Sequence, residues 1–352
     1  MTCVGPVQLE RHWWGNRCAC TTTGGYHVDG NLGVNGHLSR RLQQKACRLT
    51  ADLSFALSAE HLQELLGVPL SAETLRTVTE QHGRAMAEWQ PKDEAIGETF
   101  QAAAGQVEFT VDAGKANTRE EGWKDVKIGV LQKRMAGTPV TAEGWDQQRL
   151  PTPTVSVAWA AVQTAFIFGK SWRPWLQRVG VTQMAELQVV ADGASWIWKL
   201  VERMLTGSRQ MLDIYHACEH LAHAGQELYG EGTAEAAAFL ERSRVSLLTN
   251  GWDGVCAVVA DEYAHGDTPP RRAALERLVK YFVKHTSRLT YAERLAQGEV
   301  IGSGAVEGQA KTIGLRLKAR GARWRMKNIR RMATLVCVRH SDQWSHYWIS
   351  VA

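Results

Sequence analysis

Two stretches of the chain show the apolar pattern of a β-strand, and each of them ends on an aspartate. Three apolar residues at alternating positions, in VEFTV, precede Asp112, which is the period-2 pattern of a strand buried on one face. Leu187–Ala191 is a continuous apolar run that stops at Asp192, and a glycine-led helical segment follows at once. Acids at the carboxyl ends of strands lie at the sheet edge where chemistry is usually placed. The pattern therefore predicts two strand-borne acids at such an edge.

The apolar pattern predicts further strands around these two. The predicted strands are residues 107–111, 126–131, 154–161, 187–191 and 210–215. Helices are predicted near residues 171–179 and directly after Asp192. The resulting β-β-β-α-β-α-β order is that of a ribonuclease H-like domain, although other mixed folds share parts of it. We therefore expect an α/β protein with a mixed sheet.

The segment before these strands turns helical at Ser39, and residues 58–83 predict a helix-turn-helix in which Ser71 caps the second helix. Its predicted buried positions are Leu62, Leu65, Leu66, Leu75 and Val78. Acidic residues outnumber basic ones in this segment, and an acidic recognition helix is repelled by phosphates. Direct DNA contact and a structural or protein-contact role are therefore both open.

The second half of the chain is mostly helical in pattern. Residues 216–297 predict an all-α insertion with breaks at residues 230–233, 250–251 and 266–270. A last helix should begin near Ser303, its plausible N-cap. The residues expected to pack it on the sheet are Val306, Ala310, Ile313 and Leu317. Glu307, Lys311 and Lys318 fall on a neighbouring stripe, so an acid and two ammonium groups would face one groove.

Composition restricts the classes of protein. The chain has 352 residues, of which 44% are hydrophobic, so it can bury a substantial core. Its longest apolar run is too short to span a bilayer, and its N-terminus lacks a secretory pattern, which favours a cytoplasmic location. Seven scattered cysteines argue against a disulfide framework. Cys18 and Cys20 form a C-x-C pair that is either a zinc-site remnant or two free thiols in a loop.

Charge is distributed unevenly. The net charge is +5, but residues 308–341 alone contain ten Lys and Arg and no Asp or Glu. The rest of the chain is therefore net negative. A basic block on an otherwise acidic protein indicates a polyanionic partner contacted at one place.

The three acids together suit phosphodiester chemistry. Two Mg²⁺ ions about 3.5 to 4 Å apart commonly activate the attacking oxygen and stabilise the leaving one, and hard cations take oxygen ligands. We expect Asp112 to bridge both ions, with Asp192 and Glu307 each completing one shell. The alternative is that a strand-end Asp before Gly is only a turn or a cap. Asp213 is either an alternative third acid or the cap of the next helix.

A competing motif lies at the start of the helical insertion. Residues 216–220, HACEH, match the inverted zinc-protease pattern H-x-x-E-H, in which His216 and His220 would bind zinc and Glu219 would act as base. An amphipathic surface helix explains the same residues. A protease has no need of the basic block, so this alternative is disfavoured.

Several blocks resemble one known family. The blocks are VDAGK, VVADGASWIWKL, LDIYHACEHL, IGSGAVEGQAK and RLKARGARW, in this order, over roughly residues 30–350. They resemble the ISKra-type insertion-sequence transposases, bacterial DDE recombinases with a ribonuclease H-like core. Departures occur at Cys18 and Cys20, at Lys284 and His285 where an Asn-rich stretch is expected, and at Gly308 where a small hydroxyl residue is usual.

The resemblance implies an acidic triad at Asp112, Asp192 and Glu307, which would hold two Mg²⁺ or Mn²⁺ ions. It also implies binding of terminal inverted repeats and target DNA by a homo-oligomer. The basic residues expected to contact DNA are Lys311, Arg316, Lys318, Arg320, Arg323, Arg325, Lys327, Arg330 and Arg331. The expected activity is metal-dependent DNA cleavage and strand transfer; the alternative is an inactive DNA-binding remnant.

The expected organisation follows these assignments. Residues 1–38 form an irregular segment and residues 39–104 a helical region with the helix-turn-helix. Residues 105–215 form the ribonuclease H-like core and residues 216–298 the helical insertion. Residues 299–352 hold the last core helix and the basic tract.

Overall fold

A mixed five-stranded sheet lies at the centre of the protein. The computed structural model describes residues 1–15, 24–26, 29, 34–35, 37–266, 268–319 and 321–351. The strands of the sheet are β1 (Gln106–Thr118), β2 (Gly122–Arg134), β3 (Val155–Ala161), β4 (Leu187–Ala191) and β5 (Arg209–Leu212). Their spatial order is β3-β2-β1-β4-β5, with β2 antiparallel to β1 and β3, and with β4 and β5 parallel to β1. The expectation of an α/β protein with a mixed sheet is confirmed.

Helices surround the sheet and form the N- and C-terminal regions. In chain order they are α1 (Arg40–Asp52), α2 (Phe55–Leu66), α3 (Ala72–Trp89), α4 (Ala95–Ala102), α5 (Ala165–Gly169), α6 (Trp172–Arg178), α7 (Ser195–Met204), α8 (Ile214–Tyr229), α9 (Ala234–Ala264), α10 (Pro269–Phe282), α11 (Tyr291–Ala296), α12 (Gly304–Leu317), α13 (Met326–Arg339) and α14 (Gln343–Ser350). Short 3-10 turns lie at Gln90–Lys92, Trp145–Gln147, Met184–Glu186 and Val283–Arg288. Among the described residues, no helix has the length and apolar character that crossing a bilayer requires.

The two strands of the first hairpin are longer than predicted. The parallel ladder between β1 and β4 ends at the pair Val111↔Ala191, as the sequence pattern suggested. The antiparallel ladder between β1 and β2 continues to Thr118↔Gly122. Asp112 therefore lies inside β1, not at its end, which corrects the prediction of a strand-terminal acid. It still occupies the position where the parallel part of the sheet stops.

The two faces of the sheet bury different helices, because alternate residues of a strand point to opposite sides. Phe109 and Val111 of β1 pack in one apolar cluster with α4, α6 and α7. Val126, Ile128 and Val130 of β2 pack on the opposite face, in a cluster with α1 to α3 and α12 to α14. Asp112 has the register of that second face, where α12 also packs against β1.

The N-terminal helices agree in part with their prediction. Serine side chains cap α1, α2 and α3, including Ser71, whose Oγ accepts a hydrogen bond from the Thr74 N–H at 3.0 Å. Leu62, Leu75 and Val78 are buried as expected. Leu65 is 71% exposed, so its predicted burial is wrong. Only some of the leucines of α2 face the core because α2 lies at the edge of this helical layer.

The segment predicted as a helical insertion is helical from Ile214 onward, with breaks at the predicted places. The chain leaves the helical conformation between α8 and α9 and again before α10, and within α9 Gly251 has φ 56° and ψ −125°. The fifth strand stops at Leu212, earlier than predicted, because Asp213 caps α8. Cys18 and Cys20, the proposed zinc remnant, lie outside the described residues.

Candidate active site

Three aspartates line up where the parallel pairing of three adjacent strands stops. Asp112 follows the last paired residue of β1 with β4, and Asp192 follows the last residue of β4. β4 pairs with β5 through Ala191↔Leu212, and the Asp213 N–H donates to the Ala191 carbonyl at 2.8 Å. Because neighbouring strands are about 4.8 Å apart, the three acids form one row along this edge.

Asp192 lies in the middle of the row, and its turn into α7 is tightly fixed. Its Oδ1 accepts a hydrogen bond from the Ala194 N–H at 3.0 Å, and its carbonyl accepts one from Trp198 Nε1 at 2.6 Å. Burial raises the pKa of Asp192, and the negative charges of Asp112 and Asp213 raise it further. The row therefore concentrates negative charge in a partly desolvated place, which a cation would relieve.

Asp213 is fully buried, and each of its carboxylate oxygens accepts a hydrogen bond from the start of a different helix. Oδ1 accepts from the His216 N–H at 2.9 Å and so caps α8, which confirms the predicted cap. Oδ2 accepts from the Ser303 N–H, at the residue before α12. Burial favours the neutral acid, but the hydrogen bonds from His216 and Ser303 outweigh it and lower the pKa of Asp213. Asp213 therefore remains ionised.

Glu307 joins the row at Asp213. It lies in the first turn of α12, where its Oε1 accepts a hydrogen bond from Ser303 Oγ at 2.9 Å. Ser303 occupies the predicted N-cap position, but its side chain bonds Glu307 and not the helix backbone. One ligand atom each from Asp213, His216 and Glu307 lies within 4.8 Å of the others, close enough for the three to share a metal ion.

His216 brings a positive charge to this group of acids. Its Nδ1 lies 3.4 Å from Asp213 Oδ1. The hydrogen bond with Asp213 raises the pKa of His216 to about 9, and the charges of Asp213, Glu219 and Asp192 act in the same direction. The imidazole is therefore protonated at neutral pH, and a metal ion bound at its ring would have to replace that proton.

The structure groups the predicted acids differently from the sequence expectation. The three-donor group found within the described residues contains Glu307 but neither Asp112 nor Asp192. Asp112 and Asp192 are neighbours because β1 pairs with β4, and Asp192 is next to Asp213 because β4 pairs with β5. Sequence reasoning missed His216 as a member of the site and treated Asp213 mainly as a cap. Their positions in the sequence could have indicated both residues, because Asp213 directly follows the fifth strand and His216 lies three residues later.

Two stacked aromatic side chains, Tyr281 and His220, lie beside the row of acids near Asp192. A Cβ added to Gly193 would meet Tyr281 Oη at 2.5 Å, so Gly193 permits a close approach of this ring. Tyr281 stacks on His220 with ring centroids 3.5 Å apart. Burial raises the pKa of Tyr281, with Asp192 and Asp213 adding to the effect, so the phenol remains protonated.

The zinc-protease alternative finds no support in this arrangement. Its first histidine, His216, bonds Asp213, whereas His220 stacks on Tyr281. Within the described residues, the metal-ligand group that includes His216 does not include Glu219 or His220. The H-x-x-E-H spacing is better explained by the capping and packing of α8.

Most of the basic residues expected to contact DNA lie at the surface. The exposed ones are Lys311, Lys318, Arg323, Arg325, Lys327 and Arg330. Arg331 is partly buried and lies 3.5 Å from Glu80. Arg316 is only 3% exposed, so it does not lie at the surface with the others. Arg320 lies outside the described residues.

Comparisons with known proteins do not identify a family for this chain. No protein-family model matches the sequence, and no curated protein matches it. Its function must therefore be inferred from the residues of the site itself.

Proposed function

We propose that this protein is a DDE transposase of the ISKra type, which cuts DNA at the ends of an insertion sequence and joins them to a target. The observation that carries the proposal is the register of the sheet, in which Asp112 and Asp192 directly follow the last pair of the parallel ladder between β1 and β4. Glu307 reaches the same edge from α12, which packs against β1. Acids at adjacent strand ends and on a facing helix are what two-metal phosphodiester chemistry requires.

The proposed ribonuclease H-like character of the core is supported by strand order. Numbered along the chain, the five strands are arranged 3-2-1-4-5, and only the second runs against the others. The edge that carries the acids is the carboxyl end of the parallel strands, where ligands bind in open α/β sheets.

The residues present fit hard divalent cations. The donors are mainly carboxylate oxygens, which Mg²⁺ and Mn²⁺ prefer, and the raised pKa of Asp192 reflects negative charge that a cation would neutralise. Asp112, Asp192 and Glu307 would hold the ions, with Asp213 beside them. When bound, such ions polarise the phosphodiester and activate the attacking hydroxyl or water.

The other residues of the site have supporting roles. Asp213 holds α8 and α12 at the edge, which fixes Glu307 relative to β5. The His216 imidazolium offsets part of the negative charge before cations arrive. Tyr281 packs closely against Gly193, next to Asp192, and would limit the access of water there.

DNA contact is assigned to the basic tract after Glu307. Its exposed cations lie on α12, on α13 and on the segment between them, and they would grip backbone phosphates. For α3, the second helix of the predicted helix-turn-helix, packing favours a structural role. Its buried face lies on α13, so closely that a Cβ at Gly83 would meet the Arg331 carbonyl oxygen at 2.6 Å.

Cleavage of a plasmid that carries the DNA flanking the coding sequence tests the proposal. Asp112→Asn, Asp192→Asn and Glu307→Gln should each abolish Mg²⁺-dependent nicking while binding in EDTA persists. Asp253→Asn, an exposed acid on α9, is the matched control and should nick as the wild type does. Wild-type protein that binds the DNA but never cuts it would replace the transposase with an inactive DNA-binding remnant.

A further inference from the structure

A second site lies away from the acids, between the N-terminal helices and the basic tract. It is a cleft with a volume of about 680 Å³, bounded by the first turns of α2 and α3 and by the segment between α12 and α13. We call it the basic cleft. Its wall includes Phe55, Ala72, Arg316, Trp324 and Lys327. The first turn of a helix carries partial positive charge, so both helices favour an anion here.

Arg316 is the unusual member of this wall. Its Nε donates to the Thr50 carbonyl at 2.6 Å, and its guanidinium lies 4.7 Å from the Phe55 ring centroid and 4.9 Å from that of Trp324. The two rings, whose centroids are 6.2 Å apart, thus both contact the guanidinium, and its Nε edge is bound to the backbone. Its Nη2 has no hydrogen-bond partner, although the residue is only 3% exposed.

Among the described residues, no acid forms an ion pair with Arg316. Burial alone lowers its pKa to about 10, with no carboxylate contributing, so the guanidinium is still charged at neutral pH. A buried cation without a counter-charge is costly, and an anion in the adjoining space would remove that cost. The aromatic rings compensate only in part.

The surroundings of the cleft reinforce this charge. Among the described residues, no acid forms an ion pair with any of four further cations of the wall, which are Arg119, Arg323, Arg325 and Lys327. The one acid of the wall, Glu80, is already engaged by Arg76 at 2.8 Å and by Asn328 at 2.7 Å. The cleft therefore presents excess positive charge around a fixed guanidinium.

The basic cleft is joined by backbone contacts to the extended hairpin of β1 and β2, the two-stranded ribbon that carries Asp112. The Arg119 N–H donates to the Trp324 carbonyl at 2.9 Å, and Thr118 forms an isolated bridge with Trp324. Arg119 follows Asp112 by seven positions. At about 3.4 Å per residue, the cleft lies at most ~24 Å from Asp112 along the ribbon, which corresponds to ~7 nucleotide steps of B-DNA.

We propose that the basic cleft binds one backbone phosphate of the DNA strand, no more than about seven nucleotides from the position held at the acids, with Arg316 as its fixed contact. This inference rests on the proposed function for the identity of the anion. It differs from general attraction to the basic tract because one buried residue, not the number of exposed charges, determines the contact.

Inorganic phosphate is the first probe. Thermal unfolding is followed in rising phosphate, with chloride holding the ionic strength constant. Wild-type protein should gain thermal stability as phosphate rises, and Arg316→Met should not. Lys199→Met, which removes one exposed charge from α7 on the opposite face of the sheet, should respond as the wild type does. Equal gains in all three proteins would overturn the site.

A labelled DNA duplex in EDTA is the second probe. Loss of one charged hydrogen-bonding contact should weaken binding by roughly tenfold or more in Arg316→Met, with partial recovery in Arg316→Lys and no change in Lys199→Met. When a neutral methylphosphonate is moved one step at a time through the ~7 nucleotides next to the cut, one position should weaken wild-type binding but not that of Arg316→Met. If Arg316→Met does not fold, Arg316→Lys, which keeps the buried charge but loses the guanidinium fork, carries the comparison and should bind duplex and phosphate more weakly than the wild type.

The outcomes separate this inference from the transposase proposal. Arg316-dependent binding without Mg²⁺-dependent cleavage would support the phosphate site and reject the proposed catalysis. Normal binding and cleavage by folded Arg316→Met would reject the cleft and leave catalysis intact. A phosphate response without any effect of Arg316→Met on duplex binding would mean that the cleft takes free phosphate, and that result also overturns the proposal.

Discussion

The buried histidine His82 should make the protein lose stability in mild acid. It lies in α3 at 8% exposure, with Nδ1 2.7 Å from Tyr347 Oη and Nε2 2.7 Å from Gln43 Oε1. The Gln43 amide nitrogen donates to the Leu38 carbonyl at 2.9 Å, so its oxygen faces His82 and accepts the Nε2–H. Burial lowers the pKa of His82 to about 4. The neutral imidazole is thus the form that the folded protein accommodates.

The sign and size of the effect follow from this pKa. An unfolded histidine has a pKa of about 6.5, so the unfolded state binds the proton first as the pH falls. The stabilising contribution is complete above about pH 6.5 and is lost as the pH falls toward 4. The full shift corresponds to about 3.4 kcal/mol, of which about 2 kcal/mol is lost on going from about pH 7.5 to about pH 5.

Urea unfolding followed by tryptophan fluorescence measures this loss in the wild type and in His82→Gln. His285, whose pKa is also lowered to about 4, contributes with the same sign, and His216, raised to about 9, contributes with the opposite sign. The difference between the two proteins removes both contributions. We expect the acid-induced loss to be about 2 kcal/mol smaller in His82→Gln. An equal loss in both proteins, or a smaller loss in the exposed control His265→Gln, would refute the reasoning.

Three further predictions concern packing and burial, and each is measured by urea unfolding near neutral pH. Gly83→Ala should destabilise the protein by roughly 1 to 3 kcal/mol, since its Cβ would meet the Arg331 carbonyl oxygen at 2.6 Å. The control Gly314→Ala, with no atom within 4 Å of the new Cβ, should be neutral or stabilising. Equal effects of the two substitutions would mean that α3 and α13 do not pack this closely. Leu62→Ala should cost roughly 2 to 5 kcal/mol and Leu65→Ala within about 0.5 kcal/mol, and the reverse order would exchange the faces of α2. Glu262→Gln should lower the free energy of unfolding by roughly 3 kcal/mol, because the fully buried carboxylate accepts hydrogen bonds from Arg271 at 2.6 Å and from Tyr229 Oη at 2.8 Å. A loss below about 1 kcal/mol would show that the ion pair is not desolvated.

Local pattern was enough to predict the strands and helices that carry the acids. Leu187–Ala191 is an apolar run bounded by a turn, and it matches β4 at both ends. The extension of β1 beyond Asp112 was not predictable from periodicity, because AGKANT at its end and GWKD at the start of β2 show no alternation. Those residues pair with each other as a two-stranded ribbon, and backbone hydrogen bonding of that kind leaves little trace in hydropathy.

The membership of the site depended on distant parts of the chain. Asp213 joins Asp192 only because β5 pairs with β4, and neither strand's own sequence reveals its neighbour. Arg316 stood in a run of basic residues and was therefore expected at the surface. Its burial arises from Phe55, contributed by a helix far earlier in the chain, and from Trp324. Spacing along one segment cannot report contacts of this kind.

Asp213 explains how a long helical insertion can interrupt the core without displacing Glu307. The chain leaves the sheet at Asp213 and returns at Ser303, and one carboxylate accepts hydrogen bonds from the starts of both flanking helices. The Ile214 N–H also donates to the Ile301 carbonyl at 3.1 Å, so entry and exit of the insertion are adjacent. The position of Glu307 relative to β5 therefore depends on this junction and not on the packing within α9, α10 or α11. Asp213 acts first as the clamp that sets the position of Glu307, and any part it takes in holding a cation follows from that placement.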